Sequence, residues 1–265
     1  MLNFRLFALI SFCLIGIYLN NAWAKPEADE ILTQLEVDEI LTQLDKNYYY
    51  PQQTGLSKLR ARVRWQQLDV ASGSGKFLRN PDFMFTWKVS GYTEIRDFKI
   101  VGDPDKYSIE RKHELKSQIK NYGELIIPLT LMQKFSKYSS ELTKKARGRK
   151  SLFLRAYSDD ESVTSYHLMI NKKEMKIETI RFKQRFAPYK VNGKFRYEKL
   201  DGKWVIAESK SRFTMGELEY QEKSTYRYKK FEKIWLLHRI DQVLKQDNRI
   251  FQSHRFEITD VRNTF

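Results

Sequence analysis

Two periods alternate along this 265-residue chain and divide it into one helical opening and a long succession of strands. Residues 29–45 read DEILTQL-EV-DEILTQL-D, two copies of one segment offset by nine residues. Ile31, Leu32 and Leu35, then Ile40, Leu41 and Leu44, recur at helical spacing, which predicts an amphipathic helix. Nine residues are about 2.5 turns, so the copies face opposite sides of a straight helix and only one can pack on a core. The helix should stop before Tyr48-Tyr49-Tyr50-Pro51, because a residue preceding proline avoids the helical region.

From there the period falls to two. Ala61, Val63 and Trp65 alternate with Arg60, Arg62 and Arg64, and Phe83, Phe85, Trp87 and Val89 alternate with Met84, Thr86 and Lys88. The same rule holds over 92–101, 151–157, 163–170, 175–182, 194–199, 204–213, 218–228, 234–240 and 251–261. Turn signals stand between these runs: Gly73-Ser74-Gly75, Gly102-Asp103-Pro104, Asn192-Gly193 and Asp201-Gly202. The last two are dipeptides of tight hairpins. About ten strands with one apolar face predict a mainly β (α+β) fold, an antiparallel sheet that curls on itself.

One segment breaks the rhythm. Tyr122–Tyr138 is apolar at Leu125, Ile126, Leu129, Met132 and Phe135, which is helical spacing, with Pro128 in its first turn. The cations Lys144, Lys145, Arg147, Arg149 and Lys150 follow, and Gly148 among them favours a loop.

The first 24 residues read as a leader. Arg5 precedes an apolar run from Leu6 to Leu19, then come Asn20-Asn21 and Ala22-Trp23-Ala24, the three-part pattern of a secretory signal peptide cleaved before Lys25. The apolar run is well short of the roughly 20 residues that span a bilayer. Acylation of Cys13 is disfavoured by bulky Phe12 beside it. Cleavage would remove the one cysteine, and with it disulfide and thiol chemistry. The expectation is an exported, periplasmic protein, with 1–24 a signal peptide and 25–265 a single domain.

Charge narrows the partners. Forty-eight basic against 33 acidic residues give +15, which favours an anionic partner. Arg60, Arg62 and Arg64 near Trp65, and the run Tyr226-Arg227-Tyr228-Lys229-Lys230, resemble a stacking platform for single strands. Export separates the protein from nucleic acid, so none is expected as a partner.

Catalytic signatures are missing from the sequence. His113, His167, His238 and His254 fall at no metal-ligand spacing, and no G-x-S-x-G, P-loop or G-x-G-x-x-G is present. No enzymatic activity, metal or cofactor is expected.

The excess of large apolar side chains suggests a ligand instead, since a curved sheet closed by helices leaves a concavity that holds apolar molecules. Trp65, Phe83, Phe85, Trp87 and Val89 would line it, with Ile126, Leu129 and Met132 above. Lys144, Lys145, Arg147, Arg149 and Lys150 would meet anionic headgroups at a membrane surface. The alternative is an envelope scaffold or interaction protein whose side chains fill that space.

The helix ending in EILTQLDKNY, followed by the strand LRARVRW, resembles the opening of the periplasmic lipoprotein-carrier superfamily (LolA-like, LolB-like and outer-membrane lipoprotein-sorting proteins). The later order is similar too: an apolar helical insert over 125–138, the stretch TYRYKKFEKIWLLHRI, and long strands ending in FEITDVRNTF. The resemblance implies a curved, half-open antiparallel β-barrel with helices covering its concave side. It also implies a non-enzymatic carrier or sensor whose ligand is an acyl chain or a lipoprotein. This chain is longer and more basic than typical carriers of that kind.

Overall fold

The computed structural model describes residues 28–70, 73–90, 93–103, 106–143 and 148–265. The expected signal peptide, 1–24, lies outside the described residues. Three α-helices are described: α1 (Ala28–Asn47), α2 (Ile109–Ile126) and α3 (Leu131–Phe135). Thirteen strands carry the rest. They are β1 (Lys58–Leu68), β2 (Phe77–Arg79), β3 (Phe83–Ser90), β4 (Thr93–Ile100), β5 (Tyr138–Thr143), β6 (Arg149–Ala156) and β7 (Val163–Asn171). β8 (Lys176–Gln184), β9 (Lys190–Leu200), β10 (Lys203–Met215), β11 (Leu218–Phe231), β12 (Ile234–Gln246) and β13 (Arg249–Thr264) complete them.

Twelve strands follow the hydrogen-bonded order β4-β3-β1-β13-β12-β11-β10-β9-β8-β7-β6-β5, and β2 pairs with β1. The order is open, ending at β4 and at β5. The fold is therefore mainly β, an open antiparallel sheet with few helices, as the alternation predicts. The described chain forms two compact units. One holds Tyr50–Pro128 and Glu222–Phe265; the other holds Leu129–Gln221 and the segment that ends at Tyr49. Composition marks none of these boundaries.

In the first unit β1 lies between β3 and β13. Leu59, Ala61, Val63 and Trp65 are buried on one face of β1, while Arg60 and Arg64 are exposed. Val63 stands opposite Phe83 on one side and Ile258 on the other, and Trp65 stands opposite Phe256. Trp65 thus lies on the opposite face from Arg60 and Arg64, so they form no stacking platform. α2 begins where Ser108 Oγ accepts the Arg111 N–H. Leu115, Ile119, Tyr122 and Ile126 fall on one helical stripe, are buried, and set α2 against β4 and β12. Gly123 permits that approach, because a Cβ there would fall within the ring of Phe98.

In the second unit α1 buries Val37, Ile40, Leu41 and Leu44, whereas Leu35 is 57% exposed. The second copy of the repeated segment packs, and Leu35 of the first does not pack with it, as the half-turn offset predicts. The Asp45 carboxylate accepts the N–H groups of Leu131 at 2.8 Å and Met132 at 3.1 Å, joining α1 to α3.

Several expectations are corrected. Tyr122–Tyr138 is not one helix: α2 ends at Ile126, and Pro128 stands between the helices rather than in a first turn. α3 restarts after Thr130, which forms a capping box with Gln133. Leu129 and Met132 consequently leave the helix that carries Ile126. β5 separates α3 from the basic run, and Arg149 and Lys150 open β6 instead of lying in a loop. Lys144, Lys145 and Arg147 lie outside the described residues. Asn192-Gly193 sits inside β9, where Asn192 pairs with Arg181 and with Arg212, because strand neighbours on both sides outweigh the local turn preference. Asp201-Gly202 does form the turn between β9 and β10, with both residues at positive φ. Val89, expected inside, is 46% exposed.

Candidate functional site

The apolar residues expected to line a cavity come together in the first unit as a packed interior. Trp65, Phe83, Phe85 and Trp87 are each at most 2% exposed, and Ile126 is 3% exposed. Phe85 stacks on Phe98 with centroids 5.1 Å apart, and Trp65 stacks on Phe256 at 5.5 Å. The Trp87 indole N–H donates to Glu94, whose carboxylate also pairs with Arg96 at 2.7 Å. Arg96 in turn donates to the Ile127 carbonyl at 2.6 Å, and Gln52 donates to the Pro128 carbonyl at 2.6 Å. These two contacts satisfy carbonyls just past the C-terminus of α2 and hold that end of the helix to the unit. Leu129 and Met132 belong to the second unit, where Leu129 is half-buried and Met132 is 37% exposed.

Beside this apolar wall lies a polar interior. Glu222, Ser224 and Tyr226 point inward from alternate positions of β11, Gln242 from β12, and Gln252 and His254 from β13; all are buried. The Tyr122 hydroxyl donates to Gln242 Oε1, and its ring stacks on Phe256 with centroids 3.4 Å apart. Burial, reinforced by the charge of Glu222, pushes the Tyr122 phenol well above its ordinary 10.0. Burial takes the His254 imidazole the other way, down to about 3. These residues share the strand parity of the apolar core. That parity was the available signal; the sequence reading placed Tyr226 in an alternating strand but named none of these residues as a site.

The second unit places Arg149 and Lys150 at the start of β6. The Arg149 Nε pairs with Glu178 at 2.9 Å. A pocket of about 480 Å³ opens beside them, lined by Arg149, Lys176, Glu178, Lys194, Arg196 and Tyr197 among others. Of these, sequence reasoning named only Arg149. Ser151 Oγ and His167 Nε2 are 2.6 Å apart across β6 and β7, but Ser151 is fully buried, so no substrate reaches its hydroxyl. Among the described residues no group of three or more His, Cys, Asp or Glu could hold a metal ion. No described helix is long and apolar enough to cross a membrane.

The fold is that of a mainly β chain with an open antiparallel sheet and helices laid on it. No family model and no curated protein matches the sequence. Several solved structures are similar to its backbone. The chain is similar to a protein domain named for outer-membrane lipoprotein sorting from Vibrio parahaemolyticus, with 10% identity, 85% of this chain and 91% of that one covered, and a TM-score of 0.38. It is similar to a DUF1329-family protein from Desulfovibrio piger (9% identity, 87% and 92% covered, TM-score 0.37). A LolA-superfamily protein from Nitrosomonas europaea is a third such structure, with 7% identity, coverage of 86% and 93%, and a TM-score of 0.32.

Proposed function

We propose that this chain is an exported, periplasmic, non-enzymatic carrier or sensor of an acyl-bearing envelope ligand, a lipid or a lipoprotein. The supporting observation is the way α2 covers an aromatic strand face. Its stripe of Leu115, Ile119, Tyr122 and Ile126 is buried, while most of its other described side chains are charged or polar. Movement of that helix would uncover Phe98, which stacks on Phe85, and Phe256, which stacks on Trp65, and so open a way to the interior that holds Trp65, Phe83, Phe85 and Trp87. Each CH₂ buried there would contribute about 0.8 kcal/mol, so half a fatty chain supplies several kcal/mol with no polar contact. Lys144, Lys145, Arg147, Arg149 and Lys150 would face an anionic membrane surface.

A second reading rests on a different observation. The same four aromatic residues are at most 2% exposed and already have partners, which suits an envelope interaction protein with a filled core. Native purification, solvent extraction and mass spectrometry separate the two. Co-purified lipid, together with binding of a fluorescent fatty acid that perturbs tryptophan emission, is expected for the carrier. An empty extract and no fatty-acid binding overturn it in favour of the filled core.

A further inference from the structure

β8 and β9 pair over a short length only. The register runs from Lys183 opposite Lys190 to Thr179 opposite Lys194 and then ends, although both strands continue. Beyond it the Ile177 N–H donates at 2.8 Å to the hydroxyl of Tyr48, from the end of α1, instead of to a β9 carbonyl. The strands have parted there, and Tyr48 stacks on Tyr197 in the gap with centroids 5.8 Å apart. The pocket of about 480 Å³ lies at this parting. A separation between strands explains why its lining draws on both faces of β9, the cations Lys194 and Arg196 and the rings Phe195 and Tyr197.

The charges of the lining do not cancel. Arg149 is paired with Glu178, and Lys176 with Glu174 at 2.8 Å. Lys194 and Arg196 have no ion-pair partner among the described residues, and both are exposed. The Lys176 ammonium also lies 4.5 Å from the ring centroid of Trp204, so a tryptophan reports on this wall. The volume is that of a small-molecule site, roughly 300–1,000 Å³. Two free cations, one of them a planar guanidinium fork, match the oxygens of a phosphate.

We infer that the parting of β8 and β9 is a binding site for a phosphate-bearing ligand, held by Lys194 and Arg196 beside the ring of Tyr197. This site stands independently of the acyl-chain reading, because it uses the other unit and none of its residues except Arg149.

The test titrates the full mature chain while following Trp204 emission. One arm uses the soluble probes inorganic phosphate and glycerol phosphate; the other uses phosphatidylglycerol vesicles against phosphatidylcholine vesicles. The double variant Lys194→Gln/Arg196→Gln should weaken binding about tenfold or more, with an unchanged circular dichroism spectrum, since charged hydrogen bonds are lost. The variant Lys183→Gln/Lys190→Gln, which removes two exposed cations of the same strands outside the pocket, should bind as the parent does. Saturation by the soluble probes assigns the site to a free phosphorylated molecule, and saturation by phosphatidylglycerol vesicles alone assigns it to a lipid headgroup. Equal losses in the two double variants, or no binding of any probe by the parent, overturn the inference.

Discussion

Trp65 donates its indole N–H to Nδ1 of His254 over 2.9 Å, and both rings lie against Phe256. The bond requires Nδ1 to accept, so the neutral imidazole carries its proton on Nε2. Burial of this ring, which lowers its pKa from 6.5 to about 3, also makes folding sensitive to acid. Below pH 6.5 the unfolded chain binds a proton that the folded chain refuses, so stability is fully present above that pH and declines as pH falls toward 3. The decline amounts to several kcal/mol on that shift. His254→Phe should flatten this acid limb, while at neutral pH it should cost about 1–3 kcal/mol because the Trp65 N–H loses its acceptor. Urea unfolding at neutral and mildly acidic pH measures both effects, and an acid slope identical to the parent's would refute the role given to His254.

Tyr122 gives the opposite pH dependence. Its phenol titrates well above 10.0 in the folded chain, so stability present below that value is lost as pH rises past it. Tyr122→Phe should reduce the alkaline loss, to which Tyr48, pushed up to about 12 by burial, also contributes. It should also cost about 1–3 kcal/mol at neutral pH, since Gln242 Oε1 loses its buried donor. Thermal unfolding across an alkaline series tests the sign.

Gly123 and Phe98 form a steric pair. In an unhindered helix Gly→Ala stabilises by about 1 kcal/mol. Here the added methyl would enter the Phe98 ring, so Gly123→Ala should instead destabilise by about 1–3 kcal/mol. Combining it with Phe98→Ala should cost less than the two single changes together, because the two side chains touch. A stabilised Gly123→Ala would show that α2 does not press on β4.

Asp45 and Thr130 both serve the start of α3, but unequally. Thr130→Ala removes a cap and should cost about 1 kcal/mol. Asp45→Ala strips two backbone N–H groups of a charged, buried acceptor and should cost about 2–3 kcal/mol. Amide exchange at Leu131 and Met132 should rise only modestly in the first variant and strongly in the second.

The sequence by itself determined the kind of structure, because strand and helix periods are local properties of neighbouring side chains. Alternation at Leu59, Ala61, Val63 and Trp65 settles which face of β1 is buried, whatever lies beside it. The nine-residue offset of the repeat likewise settles that one copy packs and that Leu35 does not pack with it. α2 before Tyr122 escaped the sequence reading: its stripe of Leu115, Ile119, Tyr122 and Ile126 is thin among charged residues, and periodicity places the helix on the more apolar run after Tyr122. Tertiary structure decided the rest. Asn192-Gly193 is straight because β8 and β10 hold it on both sides, and pairing between distant strands is invisible in a dipeptide. Tyr226 is buried rather than displayed because it shares the covered face of β11 with Glu222 and Ser224, close to Tyr122 of α2. Lys176, Lys194 and Arg196 are ordinary surface cations in the sequence, and they share a pocket because β8 and β9 separate beyond Thr179, where Tyr48, far away in the chain, takes the Ile177 N–H.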